Sequence, residues 1–446
     1  MVTKKSSSTF SSAMSRWFSP VRTLLSTLPN GVFAVSLFGL FLGASTTMVY
    51  NLLGLFMKNE LHLSESTISS IDGIVECLAY IIRIFSGMIS DYFMDRKVIL
   101  IFGCIITFFM KPFFAFANSS IDILFAQSVE RIGNGLQASP RDALITDLSD
   151  KQTRGRSFGF SKSFKTTGSL LGTVIAIVIM YFSNNNFRLV FMCSTIMVAI
   201  AMLCLFKIKT PKDVEAESKS GKVNLTYVDA TKKIENPFKM KYLKSLDLFF
   251  WKMIVFACIF ELGHFSESLF PIYANQFLST TTSGSISMFV SLGQVMCSLP
   301  IGLYADKLGK RRFIKLCIFM MMAANILFIS GNYLINHINM SDGWNVFLVS
   351  IISGSAAFLW GGQMTAIQGL FLAIISEKVD MHLRGTAIGI YYTAIGLSFA
   401  AASYIAGGIW HEKGCSWSFA YSMVFCVLAI TLFKLLLPKK EEVRNR

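Results

Sequence analysis

The chain has 446 residues, 53% hydrophobic and 15% charged, with a mean hydropathy of +0.56 and a formal net charge of +15. A soluble domain carries about 25% charged residues, so this composition excludes an ordinary water-soluble protein and makes lipid the natural solvent. The positive charge would also suit a nucleic-acid binder, but it lies between long apolar runs and is assigned to a membrane surface instead.

Residues 1–30 are basic and Ser-rich, without an apolar core or a small-residue cleavage site. They read as a cytoplasmic tail rather than a secretory signal, with an amphipathic stretch around Trp17 and Phe18. A bilayer-crossing helix needs about 20 mostly apolar residues. Twelve such spans are expected: 31–56, 67–91, 97–117, 119–142, 156–182, 187–207, 249–277, 284–306, 312–334, 344–376, 384–410 and 417–437. Spans 2, 4 and 7 are the weakest, because they carry several charges. Residues 208–248 form the one long polar segment between spans, dominated by Lys, Glu, Ser and Asp and too polar to fold alone. They read as a cytoplasmic linker, with a short surface helix near Pro237 to Leu246. The chain thus divides into a six-helix half at 31–207, a second at 249–437 and a cytoplasmic tail at 438–446. The remaining loops are short, so consecutive spans are expected to be antiparallel neighbours.

Thirty of the 41 Lys and Arg fall in the loops of one side, the helix ends that flank them and the two termini. Three, Lys58, Arg188 and Lys413, fall on the other side. This bias places both termini and the central loop in the cytoplasm. The nine Cys are scattered, eight within spans and Cys415 in an outer loop, with no CxxC pair. Neither a disulfide framework nor a zinc site is indicated. Gly168 and Gly172 form a small-xxx-small pair that lets helices approach closely. Gly361, Gly362, Gly369, Gly407 and Gly408 are expected to loosen spans 10 and 11, and Pro112, Pro271 and Pro300 to interrupt theirs.

Two phrases are written twice. GMISDYFMDRK runs from Gly87 to Lys97 and GLYADKLGKRR from Gly302 to Arg312. RGRSFG starts at Arg154 and RGTAIG at Arg384, in the same order in each half. Repetition beside apolar runs implies a membrane transporter built from a duplicated helical unit. In the first phrase an apolar stretch ends in Gly87 or Gly302, Asp91 or Asp306 follows, and a basic cluster closes it, Arg96 and Lys97 or Gly309, Lys310 and Arg311. Each RG phrase opens a helix, where unpaired N–H groups and the dipole are positive. Asp91 is therefore expected to meet the helix start at Arg384, and Asp306 the one at Arg154, holding the cytoplasmic side shut. A charge cluster that only fixes topology explains the Lys and Arg, but not Gly and Asp at matched offsets.

GLYADKLGKRR resembles the signature between helices 8 and 9 of the major facilitator superfamily. GMISDYFMDRK resembles its counterpart between helices 2 and 3, with Met94 for the usual Gly and Asp95 for a basic residue. The resemblance implies an all-α membrane fold of twelve transmembrane helices in two pseudo-symmetric six-helix halves. The run ERIGNGLQASPRDALITDLSDKQTRGRSFGF, Glu130 to Phe160, is similar to a poorly characterised bacterial branch of that superfamily. In that branch two acids and a base recur in helix 2, here Asp72, Glu76 and Arg83, and a Lys-Pro in helix 3, here Lys111 and Pro112. GHFSES in span 7 resembles it more loosely. The chain departs from it with Asn134, Gln137 and Lys165 where bases and an acid stand in the branch.

Ionisable residues inside spans are rare, since an unpaired charge at mid-bilayer costs about 3 kcal/mol or more. With a rise of about 1.5 Å per residue, Glu76 lies about 22 Å and Lys111 about 21 Å from the cytoplasmic ends of their spans, which predicts an ion pair. Arg83, Lys165 and Arg131 share a layer at about 12–16 Å, and Glu130 faces about 100° away from Arg131. Three cations in one layer suit a water-filled cavity that accepts an anionic group. Snorkelling of Arg83 and Lys165 toward the cytoplasm is the alternative. Arg131 is the first choice for substrate contact, by bidentate pairing with a carboxylate or phosphate. In span 7, Glu261, His264 and Glu267 fall at i, i+3 and i+6, a loose face of one helix. Proton or substrate handling and structural hydrogen bonding both fit it. A metal site would need a second ExxH motif, which the chain lacks in a suitable place. Trp360, Gln363, Gln368, Tyr50, Asn51, Tyr391 and Tyr392 could orient a polar ligand or sit as interfacial belt residues.

No phosphate loop, nucleophile elbow or metal-ligand set is present, so neither an enzyme nor an ATP-driven pump is expected, and no cofactor or metal. The expected function is secondary active transport of a small polar solute, anionic or zwitterionic, by alternating access and coupled to protons. The expected protein is a monomer in a bacterial cytoplasmic (inner) membrane. Drug efflux on the same scaffold is one alternative, and a non-transporting sensor or scaffold the other.

Overall fold

The computed structural model describes residues 30–93, 96–149, 154–206, 246–379 and 384–436. Among these every regular element is a helix. The first half comprises α1 (Asn30–Asn59), α2 (Glu65–Phe93), α3 (Arg96–Phe116), α4 (Ser120–Asp147), α5 (Arg154–Phe182) and α6 (Phe187–Phe206). The second comprises α7 (Leu248–Glu261), α8 (Leu269–Ala274), α9 (Thr280–Ser283), α10 (Ser285–Leu308), α11 (Lys310–His337), α12 (Gly343–Lys378), α13 (Arg384–Lys413) and α14 (Cys415–Leu436). Each of the twelve expected spans falls on one helix, except span 7, which is divided between α7 and α8.

Eight of these helices, α1, α3, α5, α6 and α11 to α14, are long and apolar enough to cross a membrane, counting described residues. The expected weakness of spans 2, 4 and 7 has a visible counterpart. α2 and α4 carry the polar residues of the site, and α7 and α8 are short because the span breaks. Large apolar side chains such as Phe109, Phe116 and Phe182 point outward, as lipid-facing residues do.

Local sequence explains several helix ends. Ser119 and Asp122 form a capping box at the start of α4. The Asp122 carboxylate accepts from the Ser119 and Asn118 N–H groups, and Ser119 Oγ accepts from the Asp122 N–H. Asp342 accepts from the Trp344 N–H and caps α12. Gly309, between α10 and α11, has φ 95°, a conformation that L side chains rarely adopt. This explains one residue of the second twice-written phrase. Its counterpart Met94 lies outside the described residues.

The two halves repeat one packing scheme. In the first, α1 packs on α5 and α6, α4 on α2 and α3, and α3 on α6. In the second, α7 packs on α13 and α14, α12 on α10 and α11, and α11 on α14. The halves meet where α2 packs on α13 and α5 on α10. Small residues make the close approaches. A Cβ on Gly168 would stand 1.9 Å from the Leu40 carbonyl oxygen, and one on Gly172 2.2 Å from that of Ala44. Gly361 sits equally close to the Val290 carbonyl oxygen, and Gly407 packs on Ser69. Instead of loosening spans 10 and 11, these two let neighbours approach within unbroken helices. Pro112 likewise lies inside a continuous α3 and does not interrupt it.

The break in span 7 covers residues 262–268, GHFSES with the preceding Leu262. Beyond it, all six residues of α8 are buried. They join an aromatic core in which Phe328 stacks on Phe419 at 4.5 Å and Phe270 meets Trp360 at 5.2 Å.

Candidate functional site

A cavity of about 710 Å³ lies between the halves, lined by Gly43, Thr46 and Thr47 of α1, by α4 and α5, and by Ser291, Gln294 and Thr365 of the second half. α4 contributes Arg131, Asn134, Gln137, Arg141 and Asp142, and α5 contributes Lys162, Lys165 and Ser169. Arg141 and Asp142 pair at 3.0 Å, toward the end of α4 that faces the basic loops.

Arg131 is held from two sides. Its Nη2 lies 3.2 Å from Glu76 Oε2, and its guanidinium carbon 4.4 Å from the centre of the Tyr50 ring. Its neighbour Glu130 points elsewhere, as a 100° step around α4 requires. Glu130 Oε1 meets Lys111 Nζ at 2.6 Å, and neither side chain has any exposed surface. The expected Glu76–Lys111 pair is therefore corrected. Depth matched these residues, but facing decides partners: α4 presents Glu130 to α3 and Arg131 to α2.

The loose face expected in span 7 is also corrected, because the helix ends at Glu261 and resumes at Leu269. His264 lies in the break, fully buried against the rings of Phe260 and Trp360. The Gln363 side-chain amide and His264 Nε2 are hydrogen-bonded at 2.7 Å, and His264 Nδ1 lies 3.4 Å from Glu261 Oε2. One Glu261 oxygen and one Glu267 oxygen are buried with no hydrogen-bond partner. Ser266, also in the break, donates to Asp72 Oδ2 at 2.5 Å, and Gln127 donates to Asp72 Oδ1 at 3.2 Å. One carboxylate of α2 thus joins α4 to the second half. Irregular backbone inside a membrane survives only where protein or a cavity satisfies it, as here.

The other predicted residues are placed as follows. The exposed Lys165 side chain lines the cavity with Arg131. Gln368 donates to the Tyr80 hydroxyl at 3.0 Å, and Tyr80 stacks on Tyr392 at 5.5 Å, both across the halves. Asn51 donates to Thr173, and Trp360 and Tyr391 are buried core residues. Arg96 donates to the Ala143 carbonyl, Lys310 pairs with Glu377, and Arg311 lies over the Phe433 ring. Lys97 opens α3 beside Arg96. The side chains of Arg83, Asp91, Arg154, Asp306 and Arg384, and Gly87 and Gly302, lie outside the described residues. Among the described residues no cluster of His, Cys, Asp and Glu is arranged to hold a metal ion.

Away from the basic loops, Glu65 at the start of α2 binds Lys58 at 2.7 Å and His411 of α13 at 3.2 Å. Thr281 donates to Asn185 at 2.6 Å on the same side. The halves are joined on that far side, while the cavity reaches toward the basic side. Sequence reasoning did not find the bridge at Asp72 and Ser266. An acid one turn before Glu76 was a signal for Asp72, but nothing in the sequence marks Ser266 as its partner.

The model of the Major Facilitator Superfamily matches residues 35–371 and 264–446. An uncharacterised MFS-type transporter of Methanocaldococcus jannaschii is 24% identical over 373 residues, covering 81% of this chain and 84% of its own. A chain of Cupriavidus pinatubonensis named as a probable 4-methylmuconolactone transporter is 23% identical over 330 residues, covering 73% and 70%. The crystal structure of a D-xylose-proton symporter superposes with a TM-score of 0.67 at 15% identity, covering 92% of this chain and 98% of that one.

Proposed function

The chain belongs to the major facilitator superfamily and is a membrane transporter, not an enzyme, and on that premise we propose that it carries a small polar solute bearing an anionic group. The observation behind this reading is the charge of the cavity wall. Four basic residues, Arg131, Arg141, Lys162 and Lys165, line it against one acid, Asp142, which Arg141 already engages. Arg131 presents a planar donor fork that matches a carboxylate or phosphate. Asn134, Gln137 and Ser169 supply neutral polar contacts beside it. A wall of this sign disfavours lipophilic cations, the substrates expected of the efflux alternative.

The solute passes by alternating access between the six-helix halves, 31–207 and 249–437, with the loops rich in Lys and Arg in the cytoplasm. The arrangement described here is then open inward, sealed on the outer side by the Glu65, Asp72 and Thr281 contacts. Asp91 at Arg384 and Asp306 at Arg154 close the inner side in the opposite state. Protons drive the cycle, supported by the buried carboxylates of Glu130, Glu261 and Glu267, each with an oxygen lacking a protein partner.

Thermal-shift screening of the purified chain against carboxylates, phosphates and amino-acid-like zwitterions tests this reading, since a bound ligand raises stability. Anionic hits should be lost in Arg131→Lys and should accumulate in proteoliposomes under an imposed pH gradient. Hits confined to lipophilic cations would overturn it.

A further inference from the structure

Gln127, Glu130, Asn134 and Gln137 fall at i, i+3, i+7 and i+10, one stripe along α4. α3 faces this stripe with Thr107 and Lys111, and α1 with Tyr50. Gly103 and Gly133 bring α3 and α4 into backbone contact, a Cβ on Gly103 standing 2.8 Å from the Gly133 carbonyl oxygen. The stripe is thereby closed from lipid, and Gln127, Glu130 and Gln137 are all buried.

Its amide donors are used. Gln137 donates to Thr107, Gln127 to Asp72 and Asn134 to Glu130 Oε1. Its acceptors are not. Gln127 Oε1, Glu130 Oε2, Asn134 Oδ1, Gln137 Oε1 and the Tyr50 hydroxyl are buried with no protein partner. Interchanging O and N in the amides would only move the vacancy to nitrogen. Native proteins satisfy nearly all buried polar groups, and where protein does not, ordered water does. Asn134 and Gln137 also line the cavity, so the seam opens to it at that end. At its other end Gln127 reaches Asp72 and, through it, Ser266 of the second half.

We propose that this seam is a water-filled proton path running beside the solute cavity, and that Glu130 is the group that holds the transferred proton. Hydronium at the cavity end gives its proton, along waters held by Gln137 and Asn134, to Glu130 Oε2. The carboxylate becomes a neutral acid, a water molecule is returned, and Lys111 keeps its own proton. Release reverses the step. Glu130 itself meets Lys111 from α3 and Asn134 on α4, with the Tyr50 ring of α1 beside Lys111 and Arg131. The other charged groups nearby are Arg131 on α4, Asp72 and Glu76 on α2, and Lys165 of α5 on the cavity wall. Glu76 is engaged by Arg131, and Asp72 by Gln127 and Ser266. Of the three acids, Glu130 is the one with a buried oxygen that no protein group binds.

The assignment rests on the proton-coupled part of the reading above, and its test needs no solute, so the two can fail separately. The full chain is placed in lipid and the carboxyl stretching bands are followed by infrared spectroscopy through an acid-to-alkaline titration. The parent should show a titrating buried carboxyl band that is absent from Lys111→Met/Glu130→Gln, a pair change that removes both charges together. The same band should shift in deuterated water, about tenfold more slowly in Asn134→Leu or Gln137→Leu, whose side chains displace the water. Each single change is measured separately, so one well-folded variant suffices. A titrating band that survives loss of Glu130 would overturn the proton assignment. Unchanged exchange in a folded leucine variant would overturn the path.

Discussion

Lys111 Nζ and Glu130 Oε1 stand 2.6 Å apart, and no part of either side chain is exposed. Replacing one partner leaves the other charged and buried, a loss of about 3–5 kcal/mol. Lys111→Met and Glu130→Gln should each lower the melting temperature sharply, and the double variant should recover most of it. A double-mutant cycle checks this, with Glu76→Gln as the partner that should show little direct coupling to Lys111.

Arg131→Lys should fold and lose ligand affinity. Lysine keeps the charge but cannot reproduce the planar fork that spans Glu76, the Tyr50 face and a ligand. A loss of about tenfold or more in affinity, about 1.4 kcal/mol, is expected with a melting temperature close to the parent's. Both quantities are measured on the same preparation. A lowered melting temperature with unchanged affinity would make Arg131 purely structural.

Ser266→Ala removes the hydroxyl that donates to Asp72 across the halves. A hydrogen bond to a charged group is worth about 1.5–3 kcal/mol, enough to shift the balance of access states by about tenfold or more. Spin labels on the far-side loops should report a larger separated population. Identical distance distributions in parent and variant would show that the bond does not hold the far side.

Glu65 lies beyond the span limits, at the far-side rim of α2. Burial works to raise its carboxyl pKa, but hydrogen bonds from Lys58, its own backbone N–H and His411 outweigh it and hold it below the ordinary value of 4.5. The folded pKa is depressed, so the stability it adds is present above the unfolded value and is lost as pH falls through the folded one. In melting curves recorded below about pH 4.5, Glu65→Gln should remove part of the parent's acid sensitivity. Equal acid sensitivity in parent and variant would refute this.

On the proposed gating role, Asp306→Asn should slow transport more than it lowers expression, because the amide keeps the size and loses the charge that the proposal sets against the helix start at Arg154. The variant should favour the inward-open state in cysteine cross-linking. A parental cross-linking pattern and rate would remove the gating role.

The layout of this fold was legible because lipid imposes it. Apolar runs of sufficient length and a one-sided bias of Lys and Arg located the helices, and Gly168 and Gly172 announced the tight contact of α1 with α5. Partner choice was less legible. Depth along a span follows from residue number, but facing depends on the rotation of each helix against its neighbours, and a single step on α4 exchanged the partners of Glu76 and Lys111. The break in span 7 was hidden for another reason. GHFSES contains one glycine and no proline, so local propensity does not end the helix there. Partners such as Asp72 and Gln363, remote in sequence, satisfy the freed segment.

The joint between α2 and α13 is made of close-packed surfaces. Gly73 lies against Ala400 and Ser403, Gly396 against Tyr80 and Cys77, and Gly407 against Ser69. Among the described residues, the one ion pair across it, Glu65 with His411, stands at the rim where water can reach it. Parting these faces gives up dispersion contacts and one buried hydrogen bond, from Ser69 Oγ to the Ser403 carbonyl at 2.7 Å, but strands no charge in hydrocarbon. The resistance of this seam is therefore set chiefly by shape: a methyl group at Gly396 would act as a wedge, whereas salt would weaken only the exposed pair at the rim.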